Sequence, residues 1–151
     1  MDNEGNNQKK VSSDYVVGLV DGEGCFYVNV YDRDEKKYPN SKPQTKIHLY
    51  IKLREDDLII LEKVQKTLGF GFIYYQKDTR ENHSACYRYE VNARDDLRKL
   101  IKFFDSHPLQ SPKKHRDFLK VKKILKIVDS GEHLTKDGIS EIRQLKSQMH
   151  I

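Results

Sequence analysis

The chain contains few of the residues that stabilise disulfide-rich or membrane-spanning proteins. It has 151 residues, with no tryptophan and only two cysteines. Cys25 and Cys86 are too few and too far apart for a disulfide scaffold or a cysteine zinc site, so we expect reduced thiols in or near the core. No apolar run approaches the length of a membrane span, and the polar start MDNEGNNQKK lacks the pattern of a signal peptide. These absences predict a soluble intracellular protein without a membrane partner, in the cytoplasm, an organelle or the nucleus according to its host.

The composition is highly charged and moderately basic. Charged residues make up 34% of the chain and hydrophobic residues 36%, which predicts a thin core. Lys and Arg total 28 against 23 for Asp and Glu, a net charge of +5. This balance favours an anionic partner, and nucleic acid is the leading candidate. The length is typical of one domain, so we expect a disordered tail over residues 1–11 and a single domain over residues 12–151.

Hydrophobic periodicity and capping residues predict helices that alternate with paired strands. The predicted elements are a helix from Ser12 or Ser13 to about Val20, ended by Gly22 and Gly24; strands over 25–33 and 46–52; a helix over 56–68 that Gly69 ends; strands over 70–77 and 86–91; a helix around 97–104; a helix opened by Ser111 and Pro112; and a helical extension from Thr135 to about Met149. This order predicts an α+β fold, in which a four-stranded antiparallel sheet carries helices on one face and solvent on the other.

The solvated face of this sheet has an unusual composition. Its predicted members are hydrogen-bonding and aromatic residues with almost no acid: Tyr27, Asn29, Tyr31, Arg33, Lys46, His48, Tyr50, Lys52, Tyr74 and Gln76. Such a sheet can lie in the major groove of DNA, where these side chains meet the edges of bases. An ordinary solvated sheet face is the alternative, although Thr, Lys and Glu usually dominate such faces.

The junction of the first helix and first strand, VVGLVDGEG over residues 16–24, contains two carboxylates among three glycines. Glu23 falls at the C-terminal end of the helix, where the helix dipole disfavours a negative charge unless a cation binds there. Mg²⁺ is commonly held by one or two carboxylates together with substrate phosphates. The alternative is that Asp21 and Glu23 only solvate a glycine turn. Gly18 and Gly22 would let a second helix approach closely. The alternative is that they let this helix pack tightly on its own sheet.

The same stretch resembles the nine-residue motif of the LAGLIDADG homing endonucleases. Val16 and Val17 stand in place of the leading Leu-Ala, and Glu23 stands in place of the last aspartate. The predicted αββαββα order also resembles the fold of that family, so the likeness covers roughly residues 12–130. The resemblance implies a site-specific endonuclease that hydrolyses both strands of a long, partly palindromic double-stranded DNA site.

The resemblance also implies roles for the motif residues. A single copy of the motif implies a homodimer, in which the motif helices pack across a two-fold axis through Val17, Gly18, Asp21 and Gly22. Glu23, with Gly22 beside it, is implied as the ligand of a divalent metal, either Mg²⁺ or another cation such as Mn²⁺. Asp21 matches the acidic position that is structural in the family.

Basic residues outside the motif complete the implied catalytic site. Lys113 is the first choice for the family's basic residue beside the scissile phosphate, and Lys114 is a neighbouring DNA contact. The alternative is that both are solvated lysines of a basic helix. A further family position, often glutamine at the end of the second strand, falls near Leu53 or Arg54. Because leucine cannot coordinate a water molecule, we expect Arg54 to take that role.

Two other classes of function stay open. The chain could act as an intron maturase or RNA-binding protein on the same fold, in which case RNA is a second partner. It could also be a DNA-binding module that has lost its activity, but Glu23 and Lys113 argue against that reading.

Overall fold

The computed structural model describes residues 10–31, 36–37, 39–40, 42–77, 80 and 84–150. The chain divides into two compact units, each built from separate segments of sequence. One unit contains the described residues up to Cys25 together with His48–Ser111, and the other contains Phe26–Ile47 and the chain from Pro112 onward. No helix among the described residues is long and apolar enough to cross a membrane. A single domain over residues 12–151 stays a prediction.

The described residues form five α-helices and four strands. They are α1 Ser13–Glu23, β1 Gly24–Tyr31, β2 Gln44–Arg54, α2 Leu58–Leu68, β3 Phe72–Gln76, β4 Cys86–Val91, α3 Arg94–Ser106, α4 Pro112–Asp129 and α5 Lys136–Ser147. The strands form one sheet in the order β1-β2-β4-β3, and β4 is antiparallel to both β2 and β3. The predicted α+β fold with its four-stranded sheet is confirmed.

Helix α1 begins where the sequence predicts and ends later. The Ser12 hydroxyl accepts a hydrogen bond from the backbone N–H of Tyr15 at 3.1 Å, as an N-cap does. The prediction that the helix ends near Val20 is wrong, because it continues through Gly22 to Glu23. Gly24 has an ordinary φ of −74°, but a Cβ atom there would lie 2.8 Å from the Cγ1 and carbonyl oxygen of Val20. Glycine at position 24 therefore provides space rather than an unusual backbone conformation.

The other predicted helix boundaries follow from local chemistry. Gly69 has a left-handed φ of 83° and ends α2, as glycine commonly does. Pro112 is the first residue of α4, where a backbone N–H would have no acceptor within the helix, so its absence costs no hydrogen bond. The Thr135 hydroxyl accepts from the backbone N–H of Gly138 at 3.0 Å and caps α5. These three boundaries confirm the predictions.

The N-terminal tail is described only at its end. The hydroxyl of Thr67 in α2 lies 2.9 Å from both the backbone nitrogen and the backbone oxygen of Val11. Val11, although placed in the predicted tail, is therefore held against α2. Residues 1–9 lie outside the described residues.

Alternate residues of the strands enter the core of each unit. In the first unit the buried side chains include Leu49, Ile51, Tyr89 and Val91 from the sheet, and Leu61, Val64, Leu97, Leu100 and Phe104 from α2 and α3. In the second unit Phe26 and Val28 of β1 are buried, and the Phe26 ring lies 6.3 Å from the ring of Phe118 in α4. The period-two alternation predicted for β1 and β2 is therefore present, and the alternate polar residues are left outside these cores.

Candidate active site and nucleic-acid interface

Glu23 is the last residue of α1, and its side chain is exposed. The last turn of this helix contains no basic residue that would offset the negative end of the helix dipole. A carboxylate at this position is destabilised until a cation approaches. Glu23 is thus placed to bind a positively charged ligand from solvent.

Asp21 has a different environment from Glu23, although only two residues separate them. One carboxylate oxygen of Asp21 accepts a hydrogen bond from the backbone N–H of Gln110 at 3.0 Å, and the other accepts from Ser111 at 3.1 Å. These residues directly precede α4. Asp21 therefore ties the end of α1 to the segment that leads into α4, and both of its oxygens are engaged within the chain.

The donor set around Glu23 fits a metal that also takes ligands from its substrate. Among the residues that the structure describes, no group of three or more His, Cys, Asp or Glu side chains could hold a metal ion. Mg²⁺ does not require such a cage, because it keeps several waters and binds one or two carboxylates plus phosphate oxygens. Glu23 supplies one such carboxylate, and Gly22, which has no side chain, could offer only its backbone carbonyl.

The predicted basic residues lie at the ends of secondary-structure elements. Lys113 is the second residue of α4 and is exposed, and Lys114 follows it and is half-buried. The first turn of α4 contains no acidic residue, so the positive end of its helix dipole adds to the charge of these lysines. Arg54 is the last residue of β2, is exposed, and its guanidinium donates to the Ser84 hydroxyl at 3.2 Å.

The strand register places several predicted contact residues on one face of the first unit. Lys52 and Tyr74 lie on either side of Arg88 in β4, and Tyr50 and Phe72 lie on either side of Glu90. Because side chains alternate between faces along a strand, His48, Arg54 and Gln76 share this face. We call His48, Tyr50, Arg88, Glu90 and Asn92 the central cluster.

Glu90 is an acidic member of this face that the sequence prediction does not include. It is only 9% exposed, and its Oε1 accepts from the Nε and Nη2 of Arg88 at 3.0 and 2.8 Å. Its Oε2 accepts from the Asn92 amide at 2.6 Å, and the His48 ring nitrogen lies 3.5 Å from Oε1. The carboxylate is compensated by these partners, as a buried charge must be. Sequence reasoning missed Glu90, although the apolar alternation of Tyr87, Tyr89 and Val91 in β4 would have indicated its face.

Arg88 is also held by an aromatic contact. Its guanidinium carbon lies 3.7 Å from the centroid of the Tyr50 ring, a distance typical of cation–π contact. A hydrogen bond with the Cys25 side chain, together with burial, raises the pKa of the Tyr50 phenol. The phenol is thus kept neutral, and Arg88 is restrained by both Glu90 and Tyr50.

A second group of polar residues lies on β1 in the other unit, and we call Tyr27, Asn29, Tyr31, Lys46 and Lys146 the β1 patch. The ammonium of Lys46 lies 5.0 Å from the centroid of the Tyr31 ring. Hydrogen bonds from Asn29 and Tyr27, and the charges of Lys46 and Lys146, lower the pKa of the exposed Tyr31 phenol. Lys146 comes from α5, and no local sequence pattern indicated that it would join this patch. The predicted contact Arg33 lies outside the described residues.

The exposed side of α1 has no side chain at two of its positions. Gly18 and Gly22 are exposed, and a Cβ atom at either would meet nothing within 4 Å. A cavity of about 380 Å³ opens beside Gly18 and is bordered by Ser106, His107, Pro108 and Gln110. Val17 also borders this cavity and is only 6% exposed, and its place in an interface stays a prediction.

Comparisons with known proteins match most of the chain to endonucleases. Residues 16–125 match the family model described as LAGLIDADG endonuclease. Over 135 residues the chain is 31% identical to the probable intron-encoded endonuclease 3 of Neurospora crassa, covering 89% of this chain and 24% of that protein. It is 28% identical to the probable intron-encoded endonuclease Cox1-I1b of Schizosaccharomyces pombe, covering 87% of this chain and 32% of that protein. The chain thus spans about a quarter to a third of these two relatives.

Two solved structures are similar in fold. The crystal structure of the homing endonuclease I-TnaI matches with a TM-score of 0.78 and 35% identity, covering 94% of this chain and 90% of that one. The LAGLIDADG homing endonuclease I-SmaMI bound to cleaved DNA matches with a TM-score of 0.78 and 28% identity. That alignment covers 93% of this chain but only 44% of I-SmaMI.

Proposed function

Because this chain belongs to the LAGLIDADG endonuclease family, we propose that it cleaves both strands of a long, partly palindromic DNA site by metal-dependent hydrolysis. The observation that carries the proposal is the difference between its two motif carboxylates. Both oxygens of Asp21 are bonded to backbone N–H groups, whereas Glu23 is exposed at the negative end of α1. Asp21 therefore has a structural role, and Glu23 is available for catalysis.

Glu23, with the Gly22 carbonyl beside it, would hold Mg²⁺ or Mn²⁺. When bound there, such a cation would supply Lewis-acid chemistry to a nearby water and to the phosphate. Lys113 at the start of α4 stabilises the charge that develops on the scissile phosphate, and Lys114 contacts the DNA backbone. Arg54 at the end of β2 holds a phosphate or an ordered water.

The central cluster and the β1 patch supply the DNA contacts. Their side chains donate and accept hydrogen bonds, as the reading of base edges requires, and the net charge of +5 favours a polyanion. I-SmaMI, a relative of similar fold, has been observed bound to cleaved DNA. We therefore assign the face that carries Lys52 and Tyr74, and the face of the β1 patch, to base and phosphate contacts.

We infer that two copies of this chain act together. The alignment covers nearly all of I-TnaI but less than half of I-SmaMI, so this chain corresponds to one whole chain in the first relative and to one portion of the second. The open positions Gly18 and Gly22 on α1 provide a surface on which the same helix of a second copy can pack closely.

Incubation of the protein with Mg²⁺ and a plasmid library that carries random inserts tests the proposal. We expect double-strand cleavage at one related set of sites on the order of 20 bp long, with two-fold symmetry. Omission of the metal should prevent cutting without preventing binding. Absence of cleavage with every divalent cation tested, together with specific binding to structured RNA, would replace the proposal by the maturase reading.

Replacement of Lys113 by alanine is expected to slow the chemical step by on the order of 10²-fold, because the transition state loses a positive charge beside the phosphate. DNA affinity should change far less. Single-turnover cleavage and equilibrium binding on the selected site measure the two effects separately.

The matched control is Lys123→Ala, which removes an exposed lysine farther along the same helix. It should leave the chemical step unchanged. If Lys113→Ala weakens binding but cleaves bound DNA at the wild-type rate, Lys113 is only a solvated member of a basic helix.

A further inference from the structure

The β1 patch contains a contact between two distant parts of the sequence. The Nζ of Lys146, near the end of α5, lies 3.1 Å from the Oδ1 of Asn29 in β1, and both side chains are partly buried. A lysine ammonium can only donate hydrogen bonds, so its partner on the carboxamide must be the oxygen. The Asn29 amide is therefore oriented with its oxygen towards Lys146.

The nitrogen of the same carboxamide can only donate hydrogen bonds. A hydrogen bond with the Asn29 side chain lowers the pKa of the neighbouring Tyr31 phenol. An amide nitrogen has two N–H groups. Because its oxygen is engaged by Lys146, Asn29 offers a ligand chiefly the N–H donors of its amide nitrogen.

This arrangement changes what Asn29 can recognise. An unrestrained asparagine reads adenine by donating to N7 and accepting from the N6 amino group. Guanine presents two acceptors at the same edge, N7 and O6. The positive charge of Lys146 beside Asn29 attracts such acceptors and repels the amino groups of adenine and cytosine.

We propose that Lys146 is a positioning residue for sequence recognition, which turns Asn29 into a donor and sets guanine as the base read at one position of each half-site. The inference rests on the proposed DNA endonuclease function. The helical extension at the C-terminal end of the fold is then part of base selection, although the base contact itself is made from the sheet.

Selection of bound and cleaved sites from a randomised DNA library with wild type and Lys146→Met tests this role. Methionine keeps most of the aliphatic length but removes the donor and the charge. Asn29→Ala first identifies the affected position as the one whose base preference is lost. At that position we expect guanine in the wild type. In Lys146→Met the ratio of guanine to adenine should fall by roughly tenfold or more.

Three further variants separate positioning from other roles. Lys146→Arg retains a charged donor and should keep guanine, whereas Lys136→Met, at the exposed start of the same helix, should change nothing. In the Asn29→Ala background, Lys146→Met should have no further effect on base preference, since the residue through which it acts is absent. Lys146→Gln serves as a second neutral substitution if the methionine variant melts at a lower temperature.

The outcomes are distinguishable. Suppose that the wild type selects a site, but Lys146→Met weakens binding to all sequences alike and leaves base preference unchanged. Lys146 is then a phosphate contact, and this inference is overturned while the proposed function stands. Adenine at the Asn29 position of the wild-type site would overturn it as well. If the wild type selects and cleaves no DNA site, the proposed function fails, and this inference with it.

Discussion

Replacement of Glu23 by glutamine is expected to abolish DNA cleavage while leaving DNA affinity within about tenfold. The change removes the charge that would bind a divalent cation but keeps the size of the side chain. Because a metal contributes several kcal/mol to the stabilisation of such a transition state, the rate should fall by about 10³-fold or more. Fold stability should not decrease, since Glu23 is exposed and the uncharged residue relieves repulsion from the helix dipole.

Single-turnover cleavage of the selected site, together with binding measured without divalent cations, checks this expectation. Glu62→Gln is the matched control, because Glu62 is an exposed glutamate on α2 and lies outside the proposed site. Cleavage by Glu23→Gln at near the wild-type rate would remove Glu23 from the catalytic assignment. A loss of affinity that accounts for the whole loss of cleavage would instead make it a DNA contact.

Replacement of Gly18 by leucine is expected to separate the two copies of the protein and to remove cleavage. A Cβ at this position meets nothing within 4 Å, so the leucine is accommodated within one copy. Leucine also has a higher helix propensity than glycine, by up to about 1 kcal/mol, which should stabilise α1. In a tightly packed helix pair the additional carbon atoms would cause overpacking and push the helices apart. The variant should therefore fold at least as stably as the wild type and fail to assemble.

Light scattering gives the molar mass, and thermal unfolding gives the stability of each variant. Ser140→Leu, which adds leucine at an exposed position of α5, is the control that should leave assembly unchanged. A wild-type protein that is monomeric both alone and on DNA would contradict the homodimer. So would a Gly18→Leu variant that remains dimeric and active.

Much of the fold could be predicted because its signals are local. Ser12, Gly69, Pro112 and Thr135 act through hydrogen bonds or backbone preferences within a few residues of themselves, so their roles can be read without knowledge of the fold. The backbone preference of Gly22 and Gly24 predicts an end of α1 near Val20, whereas the helix continues to Glu23. Gly24 has an ordinary φ of −74°, and a Cβ atom there would crowd Val20, one helical turn earlier.

The element order, the alternation of each strand and the position of the motif can be read from the amino-acid sequence, because these features depend on periodicity and on neighbouring residues. The partners of individual side chains, by contrast, are set by the folded structure. It paired Asp21 with the backbone N–H groups of Gln110 and Ser111, and it placed Lys146 on Asn29. Such contacts join residues some 90 to 120 positions apart. They depend on strand register and helix packing, which are set by the burial of the whole core and by no local pattern.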